Sequence, residues 1–197
     1  DSEIKKAQVD GLDGYPVFTR KANTDLSYLA CAQKMFAAHD ALYPMFATHN
    51  AQTISAIFQM SEGRAFEYQR LHGMGEHLYA EVIGKEHMNI PCRVYAPVGS
   101  HEDLLPYLVR RLLENGANSS FVNRITDANV APEELVADPI ATVSNFANKA
   151  HPHIPTPNAI FGNERKNSMG VLLSNDSTLS QLATDIASAM KNWQATP

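Results

Sequence analysis

Residues 66–83 read FEYQRLHGMGEHLYAEVI. The first seven form an apolar-rich run of strand length, Gly73 and Gly75 interrupt it, and from Glu76 onward Leu78, Tyr79 and Val82 fall on one helical stripe. The same order recurs on both sides. YPMFATH at 43–49 reads as a strand, after which Asn50 can cap a helix over 51–60 with Ile54, Ile57 and Phe58 on one face. CRVYAP at 92–97 reads as a third strand and precedes a helix over 101–116, and an earlier helix over 24–38, with Leu26, Leu29, Ala30 and Phe36, leads into the first strand. Short consecutive β-α units with strands too apolar to be half-exposed predict an α/β fold with a parallel sheet, and a (β/α)8-type barrel in particular. A complete barrel takes about 250 residues and eight units, so three units amount to roughly half of one. Working residues in such folds sit at the carboxyl ends of the strands, where this sequence has Thr48, His49, Gln69, His72 and Tyr95.

With 197 residues the chain can bury a real core, and its formal charge of -5 argues against general affinity for nucleic acid or anionic lipid. Only Cys31 and Cys92 are present, without paired spacing, as expected of a reducing compartment such as the cytoplasm. No apolar run approaches the roughly 18 residues that span a bilayer. The opening Asp1-Ser-Glu-Ile-Lys-Lys6 has no initiating Met and is expected to be cut from a longer polypeptide. From about Ala147 the texture changes to His151-Pro-His-Ile-Pro155-Thr-Pro157-Asn, an extended linker. Two domains are therefore expected, 1–148 and 149–197, the second ending in a helix over 178–193 capped by Asp176 and Ser177.

The segment HEDLLPYLVRRLLENG, 101–116, has clear boundaries: Ser100 caps it, Asp103 completes a capping box, and Gly116 offers a left-handed stop. Leu104, Leu105, Leu108, Val109, Leu112 and Leu113 span one half of the helical wheel, and Tyr107, Arg110, Arg111 and Glu114 span the other. A solvated face with Glu114 pairing to either arginine would explain this pattern. So would a grip on a small carboxylate, since each guanidinium offers a planar fork that a lysine lacks, and Glu114 would then orient the pair.

Pro91-Cys-Arg-Val-Tyr95-Ala-Pro-Val-Gly, followed by Tyr107-Leu-Val-Arg110-Arg111-Leu-Leu-Glu114, resembles the eighth strand and helix of the flavin-dependent proline dehydrogenase domain of the proline utilization A family. The resemblance continues through Leu71-His-Gly-Met-Gly-Glu76, Phe46-Ala-Thr-His49-Asn, Gly14-Tyr-Pro-Val-Phe-Thr19-Arg-Lys21 and Ser119-Ser-Phe-Val-Asn-Arg124-Ile, covering nearly all of 1–148. It implies that the chain supplies the second half of the barrel. The linker, the last helix and Trp193-Gln-Ala-Thr-Pro resemble the start of an NAD-dependent glutamate-semialdehyde dehydrogenase domain.

The resemblance implies FAD-dependent oxidation of L-proline to 1-pyrroline-5-carboxylate by hydride transfer to flavin N5, the first step of proline catabolism to glutamate. It assigns the proline carboxylate to Arg110 and Arg111, their support to Glu114, and the ring-facing walls to Tyr95 and Leu71. Thr19, Arg20 and Lys21 match the loop at the pyrophosphate and adenosine end of the cofactor, and Thr48, His49 and Gln69 match contacts beside its ring system. Electrons are expected to pass to a membrane quinone, which makes the enzyme peripheral to the membrane; the full-length protein is expected to be a homo-oligomer. The family's preceding strands, with further flavin and substrate contacts, are expected from another segment or chain. A flavin barrel acting on a different amino or imino acid, or an inactive fragment, are the alternatives. A zinc site at His72-Gly-Met-Gly-Glu76-His77 fits no metalloprotease spacing, and its glycines favour a loop; no metal is expected.

Overall fold

In the computed structural model, residues 2–117 and 120–189 are described. In chain order the helices and strands are α1 (Ser2–Val9), α2 (Lys21–Ala37), β1 (Met45–Ala47), α3 (Ala51–Ser61), β2 (Glu67–Leu71), α4 (Glu76–Ile83), β3 (Cys92–Tyr95) and α5 (His101–Gly116). There follow α6 (Phe121–Arg124), α7 (Pro132–Leu135), α8 (Pro139–Ser144), a 3₁₀ turn at Pro157–Ala159 and α9 (Asp176–Ala189). They fall into two compact units, Lys21–Phe146 on one hand and Asp1–Arg20 with Ala147–Pro197 on the other.

The larger unit is an α/β layer on a parallel sheet of order β1-β2-β3. Met45 to Ala47 pair with Glu67 to Gln69, and Tyr68 to Leu71 pair with Cys92 to Tyr95. A parallel ladder needs a crossover between neighbouring strands, which α3 and α4 supply. The core packs Ala32 and Phe36 of α2, Phe46, Ile54, Ile57, Phe66, Tyr68, Tyr79 and Val82 together. Its aromatic rings meet at tilted or edge-on angles, Phe36 with Phe46 and Phe66 at 5.3 and 5.4 Å and Phe66 with Tyr68 at 5.0 Å; such geometry suits the ring quadrupoles. The start of the central strand carries a buried charge, Glu67, held by a two-pronged bond from Arg93 at 2.7 and 3.0 Å. That guanidinium holds the carboxyl below the usual carboxylate range.

Asn50 caps α3 as expected, its side chain accepting from Gln52 N and Thr53 N. Several expectations are corrected. The helix that leads into the first strand, α2, begins at Lys21, not Thr24. The third strand is exposed along three of its four residues, because it is the sheet edge and its side chains lack the cover that the central strand has. Ser100 caps α5, but Asp103 takes the Ser100 hydroxyl at 2.7 Å instead of reaching back to the backbone. Gly116 is not a left-handed stop: it ends the helix and Ala117 follows at φ -66°. Asn123 Nδ2 and Ser120 Oγ donate to the Gly116 and Asn115 carbonyls, satisfying the last turn without a left-handed residue. No residue of α5 is buried, and its leucine half is the more open one, with Leu112 71% and Leu113 69% exposed.

In the smaller unit α1 packs on the 3₁₀ turn through buried Ala7 and Pro157. Asn167 donates to the Gln8 carbonyl and the Tyr15 hydroxyl to that of Pro155. Gly11 and Gly170 meet backbone to backbone, and a Cβ on Gly11 would lie 1.8 Å from the Ser168 oxygen. Asn175, rather than Asp176 or Ser177, caps α9, accepting from Ser177 N and Thr178 N. The expected extension of this helix to Trp193 lies outside the described residues.

Candidate functional site

The carboxyl ends of all three strands open into one cavity of about 420 Å³. Its floor is Ala47, Thr48, His49 and Asn50 after β1, Leu71 and Met74 after β2, and Tyr95 at the end of β3. Lys21, Thr24, Asp25 and Tyr28 of α2 form one side; Arg111, Glu114 and Asn115 of α5, with Ser120, Phe121 and Val122, form the other. A second opening of about 520 Å³ shares Lys21, Asp25, Asn50 and Phe121 with it, and extends past Arg124 and Glu134.

Of the residues singled out in the sequence, the structure brings Lys21, Thr48, His49, Leu71, Tyr95, Arg111 and Glu114 to this cavity. Arg110 is exposed and does not line it, because one residue along a helix turns the side chain by about 100°. Gln69 is also off the lining; its amide donates to Met45 Sδ at 3.5 Å. Thr19 and Arg20 belong to the smaller unit, where they tie down the linker: Thr19 Oγ1 accepts from His151 N and Arg20 Nε donates to the Ala150 carbonyl.

The cavity's charged groups have defined partners. Lys21 grips both oxygens of Asp25 at 2.6 and 2.8 Å, one turn along the same helix. Arg111 lies under the Tyr107 ring at 5.2 Å, and its Nε is 3.1 Å from Glu114 Oε2. That contact is an ion pair without hydrogen-bond direction, so the buried Nε–H has no hydrogen-bond acceptor of its own. His49 Nε2 accepts from Leu71 N at 3.3 Å, so its neutral ring carries the proton on Nδ1. Burial pulls this imidazole down from its ordinary value, with Arg70 adding to the effect and Glu114 opposing it. Burial pushes the Tyr95 phenol up, and that of Tyr28 up to about 12. Both therefore act as neutral hydroxyls, and the Tyr28 hydroxyl donates to the Ala47 carbonyl at 3.0 Å.

Sequence reasoning found Lys21 but missed Thr24, Asp25 and Tyr28 on the α2 wall. Lys21, Thr24, Asp25 and Tyr28 stand at i, i+3, i+4 and i+7 on one stripe that Ala32 and Phe36 continue into the core, and that spacing was the available signal. Asn115 was legible in the same way, one turn beyond Arg111. His72 lies outside the lining, in a turn with Gly73 and Gly75 at φ +79° and +66°. Among the described residues no helix is long and apolar enough to cross a membrane.

Residues 1–124 match the protein family described as proline dehydrogenase. Over its whole length the chain is 53% identical to the bifunctional protein PutA of Escherichia coli (strain K12), of which it covers 16%. It is 52% identical to the bifunctional protein PutA of Rhizobium meliloti, covering 17% of that protein. A crystal structure of bifunctional proline utilization A (PutA) superposes on the full chain with a TM-score of 0.87 at 52% identity, the chain covering 20% of it. The chain thus spans about a sixth of the length of the curated relatives it matches.

Proposed function

The chain belongs to the proline dehydrogenase family, and we propose that it forms the carboxyl-terminal half of a (β/α)8 barrel that oxidises L-proline to 1-pyrroline-5-carboxylate with FAD. The observation that carries this reading is that the half-buried Arg111 lines the cavity at the strand ends together with Leu71 and Tyr95. A guanidinium in that state suits a carboxylate, and each charge-assisted bond to it contributes about 1.5–3 kcal/mol. Glu114, on the same cavity lining, pairs with the guanidinium at Nε. Leu71 and Tyr95 offer the proline ring an apolar wall with one polar tip. Arg110 is the second candidate for the carboxylate, reaching it only through a change of side-chain direction.

The donor set also suits a flavin. An aromatic ring system is accommodated by Ala47, Leu71, Met74 and Phe121, and Lys21, shared by the two openings, offers a cation to a pyrophosphate. By family resemblance alone, Thr48, His49 and Gln69 would hold the ring system, and Thr19, Arg20 and Lys21 are the candidates for the pyrophosphate and adenosine end. When bound, the flavin accepts the hydride from the carbon beside the proline nitrogen. The residues of this chain fix the carboxylate, present that carbon to the cofactor and keep the ring dry. Onward transfer to a quinone, peripheral membrane association, homo-oligomerisation and a following glutamate-semialdehyde dehydrogenase domain from about residue 149 are proposed on the family alone.

The test is the absorbance of the flavin-loaded full protein before and after proline is added. Bleaching of the flavin band supports the reading; a band that proline leaves unchanged, or a protein that takes up no flavin, overturns it.

A further inference from the structure

The β1–β2 ladder ends at the pair Ala47 and Gln69, at the edge of the cavity that Ala47 lines. Beyond that pair, side chains hold the two strand ends together. The His49 ring takes the Leu71 N–H, which strand pairing leaves over. From α4, the Tyr79 hydroxyl lies 2.6 Å from the Thr48 carbonyl and 2.9 Å from the Gln69 carbonyl, so one O–H is shared between neighbouring strands. Tyr79 is 1% exposed and does not line the cavity. Its ring stands edge-on to that of His49 at 6.3 Å. Gly75 leaves room for both: a Cβ there would come within 3.1 Å of His49 Cδ2 and 3.4 Å of Tyr79 Cδ2.

We propose that Tyr79 is a positioning residue of the proline site: bridging the Thr48 and Gln69 carbonyls, it sets the distance between Thr48–His49 and Leu71. It touches neither substrate nor cofactor and acts through those walls. This role rests on the functional reading above. A hydroxyl that only stabilised the core would be interchangeable with that of Tyr68, which is 0% exposed and donates to the Ile54 carbonyl within α3 at 2.6 Å. Loss of either hydroxyl removes one short bond from the same core, yet only one of the two spans the strand ends.

Tyr79→Phe and Tyr68→Phe are therefore compared in the flavin-loaded full protein, by thermal unfolding and by proline titration well below the transition. The expected result is a similar fall in Tm for both, with KM for proline raised at least about fivefold in Tyr79→Phe alone and within about twofold of wild type in Tyr68→Phe. Equal kinetics in the two variants, or wild-type kinetics in Tyr79→Phe, overturn the role. If Tyr79→Phe has no cooperative transition, 3-fluorotyrosine at position 79 keeps the packing and strengthens the donor; a KM shifted by about twofold or more supports the role and an unchanged KM overturns it. A wild-type protein that proline fails to bleach overturns the functional reading and this role with it. A bleached wild type with indistinguishable variants overturns the role alone.

Discussion

The two walls of the cavity are built differently. The strand-end wall, Thr48, His49 and Leu71, is held by the buried Tyr79 and the half-buried His49, which bridge β1 and β2, and by Asn50, which closes the first turn of α3. The α5 wall carries Arg111 and Glu114 on a helix with no buried residue, tied to the strand ends by contacts such as Asn115 Nδ2 to Met74 Sδ at 3.6 Å. A site needs precision where a ring must lie against a cofactor and charge where a carboxylate must be drawn in. Rigidity is supplied by the sheet, and charge by a helix with no buried residue.

Breaking the stiff wall should cost most. Phe36→Ala removes a ring that packs on both Phe46 and Phe66, and the cavity left behind should destabilise the chain by about 3–5 kcal/mol in denaturant unfolding. Asn50→Ala exposes two α3 amides at the edge of the site and should cost about 1 kcal/mol in the same measurement. Acid should act on this wall through His49. Its folded pKa lies below the ordinary 6.5, so the unfolded chain binds more protons in the interval between the two. The stability it contributes is intact above about 6.5 and drains away as pH falls through that interval; a Tm profile over pH should show the decline, and His49→Gln should flatten it. On the α5 side, Leu112→Ser, at a residue 71% exposed, should change stability by less than about 0.5 kcal/mol, and a larger loss would show that the helix is anchored through its leucines.

The alternation of strand and helix was readable because its signals are local: apolar periodicity, the Asn50 and Ser100 caps, and the glycines at 73 and 75. So was the placement of Thr48, His49 and Tyr95, since a strand end is fixed once the strand is, whereas Gln69 and His72, read in the same way, do not line the cavity. The rotation of α5 was not. A wheel separates leucines from arginines, but which arginine meets the cavity depends on tertiary contacts, here Asn115 against Met74. The termination of α5 was misread for a related reason, because Ser120 and Asn123 satisfy carbonyls that local sequence would assign to a glycine turn. Thr24, Asp25 and Tyr28 escaped notice because their helix was read from Leu26, Leu29, Ala30 and Phe36 alone.

The claim on which the functional account stands is that Arg111 holds the substrate carboxylate. Proline titration of flavin bleaching in Arg111→Lys, beside Arg110→Lys, tests it most directly. A lysine keeps the charge and loses the fork, so half-saturating proline should rise about tenfold or more for Arg111→Lys and clearly less for Arg110→Lys. An Arg111→Lys protein that bleaches at the wild-type proline concentration would contradict it.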